Sequence, residues 1–242
     1  MRPPVLLLHG FMGRGADWRA ARDHLPRDWT VDAPDLPAHG DLRDLPAGAV
    51  TMDAAASRLA DALDAPADVV GYSMGGRLAL HLAVMRPESV RRLVLVSASP
   101  GLRTEQERAD RRALDAARAA EIASGYASFL DRWYRMLLFA SLSESARRDL
   151  VGDRLRHNDP LALGRSLVGM GTGAQPSHWG TLAGISTPVL AVAGALDKKY
   201  VGLAREMAET GRVEVAVVPD AGHALLTEAP RALADSLSRF LS

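Results

Sequence analysis

The chain has 242 residues, 48% of them apolar, and its 29 basic side chains balance 29 acidic ones. No net field draws it to nucleic acid or to an anionic membrane. The length suits one α/β domain or one domain carrying an insertion. The absence of cysteine excludes disulfides, thiol nucleophiles and thiolate metal sites. Nearly all the basic residues are arginine, with Lys198 and Lys199 the exceptions, so abundance of arginine is not by itself a functional signal.

Val5-Leu6-Leu7-Leu8 is a continuous apolar run closed by His9-Gly10, as expected of a strand buried on both faces. It is too short to span a bilayer, and no signal-peptide core follows it, so a cytoplasmic protein is expected. A Gly-rich loop follows over 9–13, and Asp17 is expected to cap a helix running to Leu25. Residues 29–33 read as a second strand, and 34–40 as a loop punctuated by Pro and Gly. Over 52–63, Ala55, Leu59, Ala60 and Leu63 share one helical face. A third strand ends at Val69-Val70, a helix runs over 76–85, and 92–96 is a fourth strand. Strands alternating with helices imply parallel pairing, because parallel neighbours need crossovers.

The alternation then stops until a strand at 188–193. Helical candidates fill the gap at 104–123, 125–138, 143–156 and 160–170; the second shows Tyr126, Phe129, Leu130, Trp133 and Leu137 at helical spacing. With few large apolar side chains the stretch is a poor core alone, so it is read as an inserted helical cap. A helix at 200–210, a strand at 213–218 and a helix at 229–241 complete the chain. The expected organisation is a core over 1–99 and 181–242 with a cap over 100–180, built on a mostly parallel sheet of about six strands.

Between the third strand and its helix lies Gly71-Tyr72-Ser73-Met74-Gly75. A serine on so tight a strand-to-helix turn is strained, and residues two before and two after it must be tiny. The turn exposes the Ser73 hydroxyl and leaves the Met74 N–H at a helix N-terminus, where negative charge is favoured. A serine nucleophile or base needs a histidine and an orienting carboxylate. Asp197 follows a strand and His223 follows the last one, so both fall at C-terminal strand ends, where ligands bind in open α/β sheets. Asp220 and Asp35 are alternatives for the carboxylate. His9 and His39 are read as holding loops and His24 and His81 as structural, while His157 and His178 are candidates to touch substrate. The Met74 and Phe11 amides are the expected oxyanion donors. No His/Asp/Glu spacing fits a metal, and no phosphate-binding Gly motif is present.

Further stretches carry a resemblance. Gly-Tyr-Ser-Met-Gly-Gly-Arg at 71–77, Ser-Pro-Gly-Leu at 99–102, Glu107-Arg108-Ala109-Asp110-Arg111 with Asp115, Phe129-Leu130-Asp131-Arg132-Trp133-Tyr134, Phe139-Ala140-Ser141-Leu142, Gly171-Thr172-Gly173-Ala174-Gln175-Pro176 with Trp179, and Asp197-Lys198-Lys199-Tyr200 together resemble one family. It is the 2-succinyl-6-hydroxy-2,4-cyclohexadiene-1-carboxylate synthases of menaquinone biosynthesis, within the α/β-hydrolase superfamily. The resemblance implies the α/β-hydrolase fold and a lyase that eliminates pyruvate with a Ser73-Asp197-His223 triad, Ser73 acting as base and no cofactor being used. It implies a small polycarboxylate substrate held by Tyr72, Arg77, Arg111, Trp133 and Arg154. Arginine suits that task because its planar fork pairs with carboxylate oxygens. Arg108, Arg112 or Arg156 remain alternatives to either cap arginine, and cap core is the alternative reading of Trp133. A monomer without nucleic-acid or membrane partners is expected, with the oligomeric state open.

Two departures from the superfamily stand out: Ala38 replaces a common Gly, and the usual N-terminal hairpin is missing or vestigial, which leaves a new sheet edge. Two rival readings stand beside the lyase. One is a carboxylesterase or C–C bond hydrolase with the same triad. The other is a small-molecule receptor on the same fold, for which a correctly ordered Asp197 would be unnecessary.

Overall fold

Apolar runs without alternation need cover on both faces, and the fold supplies it. A computed structural model describes residues 2–242; residue 1, the first of the expected core segment, lies outside the described residues. In chain order the elements are β1 (Val5–Leu8), a 3-10 turn (Gly15–Trp18), α1 (Arg19–Arg22), β2 (Val31–Asp32), α2 (Met52–Asp61), β3 (Ala67–Tyr72), α3 (Met74–Met85) and β4 (Val90–Val96). There follow α4 (Glu105–Tyr134), α5 (Glu144–His157), α6 (Pro160–Met170), α7 (Trp179–Leu182), β5 (Val189–Gly194), α8 (Lys198–Ala208), β6 (Val213–Val218), α9 (Leu225–Glu228) and α10 (Pro230–Leu241). Among the described residues six strands form one sheet in the order β2-β1-β3-β4-β5-β6, and every neighbouring pair is parallel.

Side chains of a strand alternate between faces, and the two faces have separate cores. Leu6, Leu8, Val69, Leu93, Leu95 and Ala191 pack against Leu59, Leu78, Leu82, Ala204 and Met207 of α2, α3 and α8. Val5, Leu7, Val70, Val94, Leu190 and Val192 pack against Trp18, Ala21, Leu225, Leu233 and Leu237 on the other side. Each fully buried leucine removes apolar area worth roughly 1.5–3 kcal/mol from water, so the sheet is the rigid base on which its loops stand.

A third core joins the helices between β4 and β5 to that base. Ile122, Phe129, Leu130, Phe139, Leu163 and Leu167 cluster with Met12 and Ala224. Met12 belongs to the loop after β1 and Ala224 directly follows His223, so this helical segment rests on two loops at the C-terminal edge of the sheet.

Several local differences from the sequence expectations have clear causes. β2 pairs over two residues instead of five, because it is the sheet edge and Pro34 lacks an N–H to donate. No long helix follows Asp17: a 3-10 turn and one turn of α1 do, and the Asp17 carboxylate turns to Arg154 instead. The helices expected at 104–123 and 125–138 are one element, α4, kinked at Gly125 where φ is −169° and ψ 69°. α4 starts in a capping box: the Thr104 hydroxyl accepts from the Glu107 N–H and the Glu107 carboxylate accepts from the Thr104 N–H. α8 begins at Lys198, two residues earlier than expected, because Asp197 caps it.

Close backbone contact fixes the join of β3 and α3. A Cβ on Gly71 would lie 2.2 Å from the Gly75 carbonyl oxygen, and one on Gly75 would lie 2.3 Å from that of Leu8. Both neighbours are main chain and cannot swing aside. Gly75→Ala should therefore lower stability by about 1–3 kcal/mol, as for other overpacked interiors; urea unfolding with an unchanged slope would check it.

Candidate active site

Ser73 sits at the elbow with φ 51° and ψ −106°, a conformation that side-chain-bearing residues rarely hold. The backbone is pinned on both sides: the Ser73 N–H donates to the Val96 carbonyl at 2.8 Å, and the Ser73 carbonyl accepts from the Arg77 N–H at 3.1 Å. The loops after β5 and β6 are stitched together at the same edge. The Ala195 N–H donates to the Val218 carbonyl and the Leu196 N–H to the Ala221 carbonyl. A Cβ at Gly194 would stand 2.2 Å from the Gly222 carbonyl oxygen, so only glycine permits that approach.

The stitching brings Asp197 and His223 together. Asp197 Oδ1 accepts from the Tyr200 N–H at 3.2 Å, capping α8, and Oδ2 lies 2.7 Å from His223 Nδ1. His223 Nε2 lies 3.3 Å from Ser73 Oγ, and Ser97 Oγ donates to the His223 carbonyl. Neither alternative acid reaches the imidazole: Asp35 accepts the Gly15 and Asp41 N–H groups, and Asp220 is exposed at a turn with φ 56°. Among the described residues the Phe11 and Met74 N–H groups have no hydrogen-bond acceptor in the chain, and Phe11, Met74 and Ser73 all line one cavity.

Two buried histidines shape the Phe11 loop. The Leu36 N–H donates to His9 Nε2 at 2.9 Å, and His9 Nδ1 faces the Gly10 carbonyl at 2.8 Å. The Met12 N–H donates to His39 Nε2 at 3.1 Å, and His39 Nδ1 faces the Pro37 carbonyl at 3.0 Å. Each Nε2 must accept, which fixes the neutral tautomer. Burial lowers the His9 pKa to about 4 and that of His39 to about 3. His9 and His39 thus hold loops, as expected. His178 does not reach the cavities but faces His81 Nδ1 at 3.1 Å, and His157 lies beside Asp153.

Two cavities meet at Ser73, sharing Phe11, Trp133 and Leu138 as walls. The first, of ≈ 140 Å³, is lined by Tyr72, Tyr134, Leu150, Arg154 and His223. Here Arg154 is already engaged. It donates to both Asp17 oxygens, at 3.0 and 2.5 Å, and to Asp153 at 2.8 Å; Arg14 donates to the same Asp153. The four charges cancel. The second cavity, of ≈ 170 Å³, is lined by Arg77, Arg111, Arg118, Lys199, Tyr200 and Thr172 among others. Against its four cations stands one buried carboxylate, Asp115. Arg77 donates to the Met170 carbonyl at 2.8 Å, and burial lowers its pKa to about 10, still charged at neutral pH.

The residues named from sequence thus gather on both sides of Ser73. Trp133 packs on the core of the helical segment and walls both cavities at once: it stacks on Phe129 at 5.5 Å and meets Phe11 edge-on at 5.6 Å. Arg108 and Arg112 are taken up by Glu105, and Arg156 is exposed. Arg118, Lys199 and Tyr200 were not singled out by sequence as site residues. Arg118 lies seven positions after Arg111, on the same helical stripe, but that signal is lost in so arginine-rich a segment.

A model of the alpha/beta hydrolase family matches residues 5–236. A putative 2-succinyl-6-hydroxy-2,4-cyclohexadiene-1-carboxylate synthase of Bacillus subtilis is 37% identical, the alignment covering 98% of this chain and 90% of that protein. The synthase of that name from Enterobacter sp. is 32% identical over 99% of this chain and 92% of its own. The solved structure of MenH from S. aureus superposes with a TM-score of 0.91 at 28% identity, covering 99% of this chain and 93% of that one.

Two outcomes are expected of this site. Unfolded histidines titrate near 6.5, while His9 and His39 stay neutral in the fold to about 4 and about 3. The unfolded chain therefore binds more protons below pH ~6.5, so their contribution to stability is complete above that pH and is lost as pH falls toward their folded values. Unfolding midpoints measured from pH 7 to 4 should fall, and His39→Gln should make the fall shallower. Arg154→Ala takes from Asp17 its ion-pair partner, while Asp153 keeps Arg14, and should cost about 2–4 kcal/mol in urea unfolding.

Proposed function

Because the chain belongs to the alpha/beta hydrolase family and, within it, to the 2-succinyl-6-hydroxy-2,4-cyclohexadiene-1-carboxylate synthases, we propose that it is a lyase of menaquinone biosynthesis. Its substrate on this reading is 2-succinyl-5-enolpyruvyl-6-hydroxy-3-cyclohexene-1-carboxylate, from which it eliminates pyruvate. The observation that carries the reading is a Ser73–His223–Asp197 chain opening onto a cavity lined by four cations, with the carboxylate of Asp115 on Arg111 behind its wall. A substrate with three carboxylates supplies the missing negative charge.

The chemistry follows from the distances. His223 Nε2 takes the Ser73 proton, and Asp197 holds Nδ1–H and stabilises the imidazolium. The serine oxygen, so activated, removes a proton from the ring. The electrons of that C–H bond shift the ring double bond into conjugation, and the C–O bond to the enolpyruvyl group breaks. Pyruvate leaves as its enolate, and the proton passes back through His223 to complete it. The Phe11 and Met74 N–H groups stabilise the negative charge that develops. No acyl-enzyme, metal or cofactor takes part.

Arg77 and Arg111 pair with substrate carboxylates in the cationic cavity. Tyr72 and Trp133 are walls that orient the ring. Arg154 serves a carboxylate in the neutral cavity, where it is shared with Asp17.

Pyruvate release from the enolpyruvyl substrate, followed together with the absorbance of the conjugated diene, tests the reading. Both should appear in equal amounts, and Ser73→Ala should reduce the rate at least about a thousandfold. Arg77→Ala or Arg111→Ala should raise KM about ten- to a hundredfold, the worth of one charge-assisted contact. Absence of pyruvate together with rapid hydrolysis of neutral nitrophenyl esters would replace the lyase with an esterase.

A further inference from the structure

The cationic cavity holds an arginine that no hydrogen bond ties to the described residues of the chain, its nearest carboxylate being one it shares with Arg111. Arg111, Asp115 and Arg118 fall at i, i+4 and i+7 of α4, one stripe facing the cavity. Asp115 is 1% exposed and is fully engaged. Its Oδ1 accepts from Arg111 Nε at 2.8 Å, and its Oδ2 accepts from the Gly173 N–H at 3.3 Å. The loop lies close against it: a Cβ on Gly171 would come within 2.5 Å of Oδ2. Arg118 Nη1 stands 3.8 Å from Oδ1, beyond hydrogen-bond reach.

Among the described residues Arg118 makes no hydrogen bond; its other contact is with the Trp133 ring, 5.3 Å from the guanidinium carbon. Yet its side chain is only 22% exposed. Burial, and after it the neighbouring Arg111, lowers its pKa against the smaller opposing effect of Asp115 and Glu121. A guanidinium with five free donors, stacked and partly dried beside Ser73, is arranged for a planar anion.

We propose that Arg118 is a further substrate-binding residue, which takes a second carboxylate in the cavity where Arg77 and Arg111 take the first. The cavity thereby selects dicarboxylates over monocarboxylates. The identity of the natural dicarboxylate rests on the synthase reading above; the preference itself does not.

The test separates the two. Succinate and acetate are titrated into the protein by calorimetry, and KM and kcat are measured for pyruvate release. The wild-type chain should bind succinate at least about tenfold more tightly than acetate, and Arg118→Gln should erase that preference. The same substitution should raise KM about ten- to a hundredfold, with the smaller part of the loss in kcat. Arg118→Lys, which keeps charge but not the fork, should fall between. Succinate affinity and KM within about twofold of wild type in Arg118→Gln would overturn the proposal. A lowered Tm with unchanged succinate affinity would also overturn it, making Arg118 only a structural neighbour of Asp115. No pyruvate release by the wild type, with succinate binding still dependent on Arg118, would remove the synthase reading and leave this one standing.

Discussion

The structure depends on how closely three pieces of main chain approach one another at the elbow. β3 turns into α3 against the end of β1, with Gly71, Gly75 and Leu8 in contact where no side chain fits. That contact holds Ser73 in its strained conformation and places its hydroxyl above the sheet edge. It also sets Met74 at the start of α3 facing the loop that carries Phe11. The parallel sheet resists relaxation of the strain because both its faces are packed. The cost of the turn, about 1–3 kcal/mol for such a backbone, is met by burial elsewhere in the same elements.

Around this point single residues serve two neighbours. Asp197 caps α8 with one oxygen and meets His223 with the other, so the helix start and the imidazole orientation cannot shift separately. His9 and His39 play a comparable part for the Phe11 loop, each accepting a main-chain N–H that an imidazolium would repel. Trp133 ties the helical segment to the site in the same manner. Its ring completes the segment's core on one side and walls both cavities on the other.

Charge divides the site into unlike halves. Around Arg154 the ions cancel in a cluster of two arginines and two aspartates, which also anchors α5 to the turn over residues 15–18. Around Arg77 they do not, because Arg77, Arg111, Arg118 and Lys199 outnumber the nearby Asp115. The two halves therefore offer different charge on either side of Ser73.

Much of this was legible in the order of residues. Buried parallel strands announce themselves as unbroken apolar runs, as at Val5–Leu8, and the strand expected at 188–193 is observed at Val189–Gly194. The elbow and the order Ser73, Asp197, His223 depend on local turn chemistry and on strand ends, which sequence also records. Asp197 was separable from Asp35 and Asp220 only in space, where one carboxylate of the three meets the imidazole. The extent of β2 was not legible, because an edge strand pairs as far as its single neighbour and the following proline allow. Nor was the fate of Asp17: a capping role is a local inference, but the Arg154 that claims it is 137 residues away. The arginines show the same limit. Sequence supplied many equivalent cations, and only the packing of α4 against the 171–173 loop decided that Asp115 is hydrogen-bonded to Arg111 and not to Arg118.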